Sequence, residues 1–324
     1  MTKAIRFHKT GAPDVLVLED ISIPAPGPGE VQIKQEAIGV NYIDIYHRTG
    51  AYPLPLPSGM GVEGSGVVTA VGPDVTAFQV GDRVAYAGGP PAAYSEERNV
   101  PAARTLKIPK DISAEVAASL IFKGLTVEYL IRRCFPVKKG DYVLFHAAAG
   151  GIGSIACQWL KDIGAHVIGT VRSDEKAAIA RANGCEFLIV YTKENLVERV
   201  KEITKGEGVA VVYDSIGKDT FEQSLDCLKP MGMLVSFGFA SGPTPQVDLG
   251  VLGAKGSLII TRPSIAHYTA KREALDKAAE AVFEMIRSGK IKASKPASYA
   301  LKDAVNAHKD LEEGRTTGSV VLVP

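Results

Sequence analysis

The stretch that most restricts how this chain can fold lies between residues 142 and 261. Short, nearly all-apolar segments alternate there with amphipathic ones. The apolar segments cover 142–147, 166–171, 187–190, 209–214, 233–237 and 258–261. Helical periodicity fills 152–163, 175–183, 196–204 and 220–228 between them. A strand such as VAVVYD has no polar face to offer water, so it must be covered on both sides. Strands alternating with helices meet that demand as a parallel sheet with helices on both faces. The expected fold class is α/β, doubly wound.

The first 110 residues have a different character. Period-two alternation at 31–37 (VQIKQEA) marks a half-buried strand, and strands are also expected at 3–8, 64–71 and 83–87. Gly, Pro and Asp break the pattern at 24–29, 72–74 and 88–91. This is a β-rich region. Ser113 is placed to cap a helix over 114–122, and a second helix is expected over 125–133. A long helix is expected over 271–291, with Leu275, Ala278, Ala279, Val282, Phe283 and Ile286 on one face. The closing GSVVLVP reads as a strand. It can extend the parallel sheet or return to the N-terminal region, and we expect the return. A length of 324 residues suits two domains.

The segment His146-Ala-Ala-Ala-Gly150-Gly151-Ile152-Gly153 lies between an apolar strand and an amphipathic helix. That is the setting of a dinucleotide loop. A helix start carries free N–H groups and partial positive charge, which favour a pyrophosphate. Gly150 and Gly151 allow close approach, and Gly153 allows tight packing. Ala148 stands where the motif's first glycine belongs. A glycine turn of this kind also occurs without a ligand.

The next strand bears on which nucleotide is bound. NAD sites place Asp or Glu at its end to hold the ribose 2′-hydroxyl. Here the end reads Val171-Arg172-Ser173, with Lys176 one turn on. A guanidinium suits a phosphate, which points to NADPH. The alternative is that Arg172 and Lys176 are solvated surface charges, or that Asp174 or Glu175 swings to the ribose. Tyr191, Ser215, Ile216, Phe237, Gly238, Ser241 and Gly242 fall at further strand ends and are candidate cofactor contacts. The glycines at 217, 238 and 242 either admit the cofactor or make turns.

Composition excludes several classes. Thirty-seven basic and 36 acidic residues give a net charge of +1, so nucleic acid is not expected as a partner. Four cysteines, at 134, 157, 185 and 227, have no metal-ligand or disulfide-framework spacing. No secretory core or run of about 20 apolar residues is present. A cytoplasmic location is expected, without membrane association.

HAAAGGIG, KGLTVEYL, NYIDIYHRTGAYP, GVEGSGVVTAVG, VYDSIG, LVSFG and TRPS together resemble the zinc-free, zeta-crystallin-like quinone oxidoreductases of the medium-chain dehydrogenase/reductase superfamily. The resemblance spans nearly the whole chain. It implies a GroES-like β-barrel domain (1–123 and 266–324) around a Rossmann domain (124–265), an active site in the cleft between them, and a homodimer or homotetramer, of which we expect the homodimer. By the same resemblance Asn41, Tyr42, Asp44, Tyr46, Thr126, Tyr129, Arg262, Pro263, Ser264, Ile265 and Arg315 are cofactor contacts. Zinc enzymes of the superfamily carry Cys where Asn41 stands and His where Val62 stands, so no metal is expected. The expected reaction moves a hydride from NADPH to a quinone. Asn41, Tyr46, Tyr52 and Arg262 would line the substrate pocket, where the Asn41 amide, Tyr46 hydroxyl or Arg262 guanidinium would stabilise negative charge on the quinone oxygen. Each also has a structural alternative: a turn cap for Asn41, rim packing for Tyr46 and Tyr52, a carboxylate partner for Arg262. His146 is expected as a buried structural group. Competing readings are an NADPH-dependent enone or alkenal reductase, a methyltransferase (which Arg172 disfavours), and a non-catalytic NADPH-binding structural or RNA-binding protein.

Overall fold

The computed structural model describes residues 1–324. The chain divides into two compact units. One comprises residues 1–125, 269–287 and 292–324, and the other 126–268 and 288–291.

The second unit is built on six parallel strands. In chain order they are Tyr142–Phe145, His166–Val171, Phe187–Val190, Val209–Asp214, Leu228–Ser236 and Ile259–Thr261. Their order in the sheet is third, second, first, fourth, fifth, sixth. That is the doubly wound order, and it reverses at the first strand, where such sheets open a crevice for ligands. All six residues of Val209–Asp214 are buried, as a strand without a polar face requires. Leu144, Ile168, Val212 and Leu234 join Leu196, Val200, Phe221 and Leu225 in one apolar core.

The first unit holds a small sheet of Val17–Ile21, Thr2–Phe7 and Ser58–Gly59, and a larger, mainly antiparallel one. The centre of the larger sheet is the strand Glu30–Val40, flanked by Glu63–Val71 and Glu97–Pro101. Val31, Ile33 and Gln35 point inward while Lys34 and Glu36 are exposed, which realises the period-two pattern. The tail strand Val320–Val323 pairs antiparallel with Glu30–Val40, so it joins this sheet and not the parallel one.

Two helix boundaries differ from the sequence expectation. Helices over 114–122 and 125–133 are one helix, Ala114–Tyr129, continued by a wider turn at Leu130–Cys134. Gly124 does not break it. A methyl there would stand 2.6 Å from Val282 of the helix Arg272–Arg287, so the glycine serves close packing. That helix ends four residues before 291, and Gly289, at φ 72°, turns the chain just beyond it. No helix is long and apolar enough to cross a membrane.

Candidate active site

In the second unit the chain leaves the strand Tyr142–Phe145, turns over 146–150 and enters the helix Gly151–Ile163. Ala147 takes the left-handed φ of 54°, and Gly150 is the N-cap without a capping side chain. The first N–H groups of a helix lack intrahelical partners, and here no side chain covers them. The buried Ser154 hydroxyl on the same first turn also has no partner. Gly153 has a definite steric role: a methyl would lie 2.4 Å from the Ala147 carbonyl oxygen and 2.7 Å from Ala148 Cα. Ala148 fits in the motif's first glycine position because Gly169 faces it. A methyl on Gly169 would lie 2.6 Å from Ala148 Cβ. Uncapped N–H groups, an orphan hydroxyl and a glycine-cleared backbone fit a dinucleotide's phosphates.

Beside the loop, the strand His166–Val171 ends at Arg172 and Ser173. The Ser173 hydroxyl caps the helix Asp174–Ala182 by accepting the Lys176 N–H. No carboxylate lies within ion-pair distance of Arg172. Asp174, an alternative ribose ligand in the sequence, is paired with Lys193. Lys176 is pushed below the usual lysine range, first by burial and then by the Arg172 charge. Two cations therefore crowd one strand end. Tyr191 stands next to them, 53% exposed, and the Thr192 hydroxyl donates to the Arg172 carbonyl at 2.9 Å.

A buried polar chain braces the strand ends beneath. Thr170 Oγ1 lies 3.0 Å from His146 Nδ1, His146 Nε2 lies 3.0 Å from Ser224 Oγ, and Ser224 donates to Asp214 Oδ2 at 3.0 Å. The Ser224 proton is engaged by Asp214, so His146 donates from Nε2 and accepts at Nδ1. Burial holds its pKa below the usual range, which keeps it neutral. Asp214 Oδ1 also accepts the Ile216 and Gly217 N–H groups.

The candidate contacts at the next two strand ends bind each other. The Ala240 N–H donates to the Ser215 carbonyl and the Ser241 N–H to the Ile216 carbonyl. Gly217 and Gly238 are needed for this loop-on-loop packing: a methyl on Gly217 would lie 2.6 Å from the Gly242 oxygen, and one on Gly238 2.8 Å from the Ser215 oxygen. Phe237 packs with Phe145, their ring centroids 5.9 Å apart. Arg262 follows the last strand of the sheet. Its guanidinium lies 5.0 Å from the Phe239 ring and reaches the Ser236 and Gly238 carbonyls. After Pro263, Ser264 caps the short helix Ile265–Tyr268. Tyr268 stacks on Tyr129, and both Tyr129 and Thr126 are buried.

In the first unit, the helix Tyr42–Thr49 carries two aromatic candidates, Tyr42 and Tyr46, and Tyr52 follows three residues beyond its end. Tyr46 packs edge-on against Tyr42 and Tyr52, with Tyr52 partly exposed. Asn41 is the N-cap, and its side-chain amide donates to Glu63 Oε2 at 2.7 Å. The amide is thus partly engaged and is not simply a free donor for a quinone oxygen. Asp44, a candidate cofactor contact, is the third residue of this helix. It has no exposed surface, and its Oδ2 accepts the Asn41 N–H and the Tyr94 hydroxyl, both at 2.9 Å. Burial pushes its carboxyl up to about 7. Arg315 is likewise held elsewhere, on Asp310 and Glu313.

Several residues that sequence reasoning passed over complete this network. Arg48 Nη1 donates to His308 Nδ1 at 3.1 Å and to Glu312 at 2.9 Å, which leaves His308 Nε2–H to donate to Tyr94, 3.0 Å away. Lys123 lies 3.3 Å from Glu63. A signal existed for the last pair: Lys123 interrupts the apolar run ASLIFKGL, and a charge at a core position needs a buried partner.

A family profile for the alcohol dehydrogenase GroES-like domain matches residues 27–110, and one for zinc-binding dehydrogenases matches 151–284. The chain is 50% identical to a quinone oxidoreductase of Pseudomonas aeruginosa and 48% identical to quinone oxidoreductase 1 of Escherichia coli, covering all of each. The solved Escherichia coli quinone oxidoreductase complexed with NADPH superposes with a TM-score of 0.97 over 99% of this chain and 100% of that one. A 2-haloacrylate reductase from a Burkholderia species is 45% identical over 100% of this chain and 99% of its own. The doubly wound sheet, the phosphate loop and these full-length identities place the chain in the quinone oxidoreductase family of the medium-chain dehydrogenase/reductase superfamily.

Proposed function

We propose that the protein is an NADPH:quinone oxidoreductase. The observation that carries the choice of coenzyme is the pair of cations, Arg172 and Lys176, at the strand end where an NAD enzyme places a carboxylate. When bound, NADPH supplies the hydride. The chain's own residues bind and orient. The start of the helix Gly151–Ile163 receives the pyrophosphate, and Arg172, Ser173, Lys176 and Tyr191 receive the 2′-phosphate. Ser215, Ile216, Phe237, Gly238, Ser241 and Gly242 form the neighbouring wall of strand ends. On the acceptor side, the resemblance supports Asn41, Tyr46, Tyr52 and Arg262 as substrate-binding residues. The Tyr46 hydroxyl and the Arg262 guanidinium stabilise negative charge on a quinone oxygen, and solvent supplies its proton. Resemblance supports Thr126, Tyr129, Pro263, Ser264 and Ile265 as further walls near the coenzyme.

Alkene reduction is the second reading, favoured by the 45% identity to 2-haloacrylate reductase. NADPH oxidation followed at 340 nm against simple benzoquinones, naphthoquinones, 2-chloroacrylate and enones separates the two. Turnover with quinones and not with the alkenes is expected. The reverse pattern refutes the quinone reading.

We propose a cytoplasmic homodimer. Four free cysteines suit a reducing compartment. Ile259–Thr261 is an edge strand whose Ile259 is 46% exposed, and Leu249 is 78% exposed; these features support pairing with a second copy.

A further inference from the structure

Asn41 is held from two sides by buried carboxylates. Asp44 accepts its backbone N–H, and Glu63 Oε2 accepts its side-chain Nδ2–H at 2.7 Å. Glu63 has no exposed surface. Its other oxygen accepts the Phe122 N–H at 2.7 Å, and Lys123 Nζ lies 3.3 Å from Oε2. Lys123 is itself only 5% exposed. The backbone is cut back to admit this carboxylate: a methyl on Gly39 would stand 2.1 Å from Glu63 Oε2. The Asn41 amide, the Phe122 N–H and the Lys123 ammonium thus converge on the Glu63 carboxylate.

The charge at Glu63 has a directional consequence. An ionised carboxylate only accepts hydrogen bonds, and an amide has a donating end and an accepting end. Turning the Asn41 carbonyl toward Glu63 would set acceptor against acceptor in a buried site, so only one orientation is allowed. A neutral amide at 63 both donates and accepts, and would tolerate either. Core packing alone does not call for an ion pair here, because apolar residues of similar volume are often at least as stabilising.

We propose that Glu63, charge-balanced by Lys123, is a positioning residue that fixes the Asn41 carboxamide, whose Oδ1 faces the Asp44 N–H in the capping box, leaving its second Nδ2–H for the bound coenzyme or acceptor. This deepens the quinone reductase reading and rests on it for the kinetic readout alone.

A double-mutant cycle tests it: wild type, Glu63→Gln, Asn41→Ala and the double variant. The readouts are NADPH Kd by fluorescence titration, kcat/KM for a benzoquinone, and thermal midpoint. Glu63→Gln alone is expected to raise the NADPH Kd about fivefold and lower kcat/KM about tenfold, and to change either less than about twofold once Asn41 is alanine. Its effect on the thermal midpoint should persist in both backgrounds. The same loss of binding and kcat/KM in both backgrounds overturns the proposal, as does no loss in the wild-type background. If Glu63→Gln fails to fold, the charge-neutral Glu63→Gln/Lys123→Met replaces it, with the same expectations for both functional readouts. If the wild type binds NADPH but reduces no quinone, the activity reading fails, and the Kd cycle still decides the role of Glu63.

Discussion

Replacing Gly153 with alanine isolates the steric requirement of the phosphate loop. Two effects oppose each other. Gly153 lies within the helix Gly151–Ile163, where alanine is favoured over glycine by about 1 kcal/mol. The new methyl would stand 2.4 Å from the Ala147 oxygen, whereas ordinary contact begins near 3.4 Å, so the loop must recede by about 1 Å. Overpacking of this kind costs about 1–3 kcal/mol, so the net destabilisation is about 0–2 kcal/mol. The binding effect should be larger. Displacing N–H donors from a charged phosphate forfeits about 1.5–3 kcal/mol, roughly a 10- to 100-fold rise in NADPH Kd. Gly253→Ala is the matched control. It is also helical but has nothing within 4 Å of the added methyl. It should gain about 0.5–1 kcal/mol and leave Kd unchanged. Urea unfolding gives stability and quenching of NADPH fluorescence gives Kd. If Gly153→Ala binds NADPH as tightly as the wild type does, the reasoning is wrong.

Other predictions follow from the first unit and the sheet edge. Asp44 faces Tyr94, Glu63 and Lys123, and burial raises its carboxyl from 3.8 to about 7. The folded state therefore holds this proton more tightly than the unfolded chain does. The contribution is fully present below about pH 4 and is lost as pH rises to about 7, at about 1.4 kcal/mol per pH unit. The difference in stability between wild type and Asp44→Asn, followed by urea unfolding from pH 4.5 to 8, should carry this slope. Parallel profiles would contradict the raised value. Ile259→Lys on the edge strand should give monomers by light scattering, and an unchanged dimer would move the interface elsewhere.

The parts of the fold that were legible in the sequence rest on local pattern. VAVVYD had to be buried on both faces, and Gly153 had to lie at a strand-to-helix turn, because those demands are written within a few residues. Gly124 was misleading: glycine marks a helix break by propensity, but its reason here is Val282, far along the chain. The first unit's polar network was illegible for the same cause. Arg48 and His308 are 260 residues apart, and no periodicity joins them. The surroundings of the candidate residues chosen by resemblance were equally illegible. Asn41 is bonded to Glu63, Tyr46 packs between two tyrosines, Asp44 is enclosed and Arg315 is held by its neighbours, since burial and pairing depend on the whole fold.

The central claim is that cations, not a carboxylate, meet the adenosine end of the coenzyme. Fluorescence titration of wild type and Arg172→Ala with NADPH and NADH tests it most directly. Loss of the guanidinium should weaken NADPH by about 1.5–3 kcal/mol, roughly 10- to 100-fold, and leave NADH nearly untouched. Equal weakening of both coenzymes, or of neither, would contradict it.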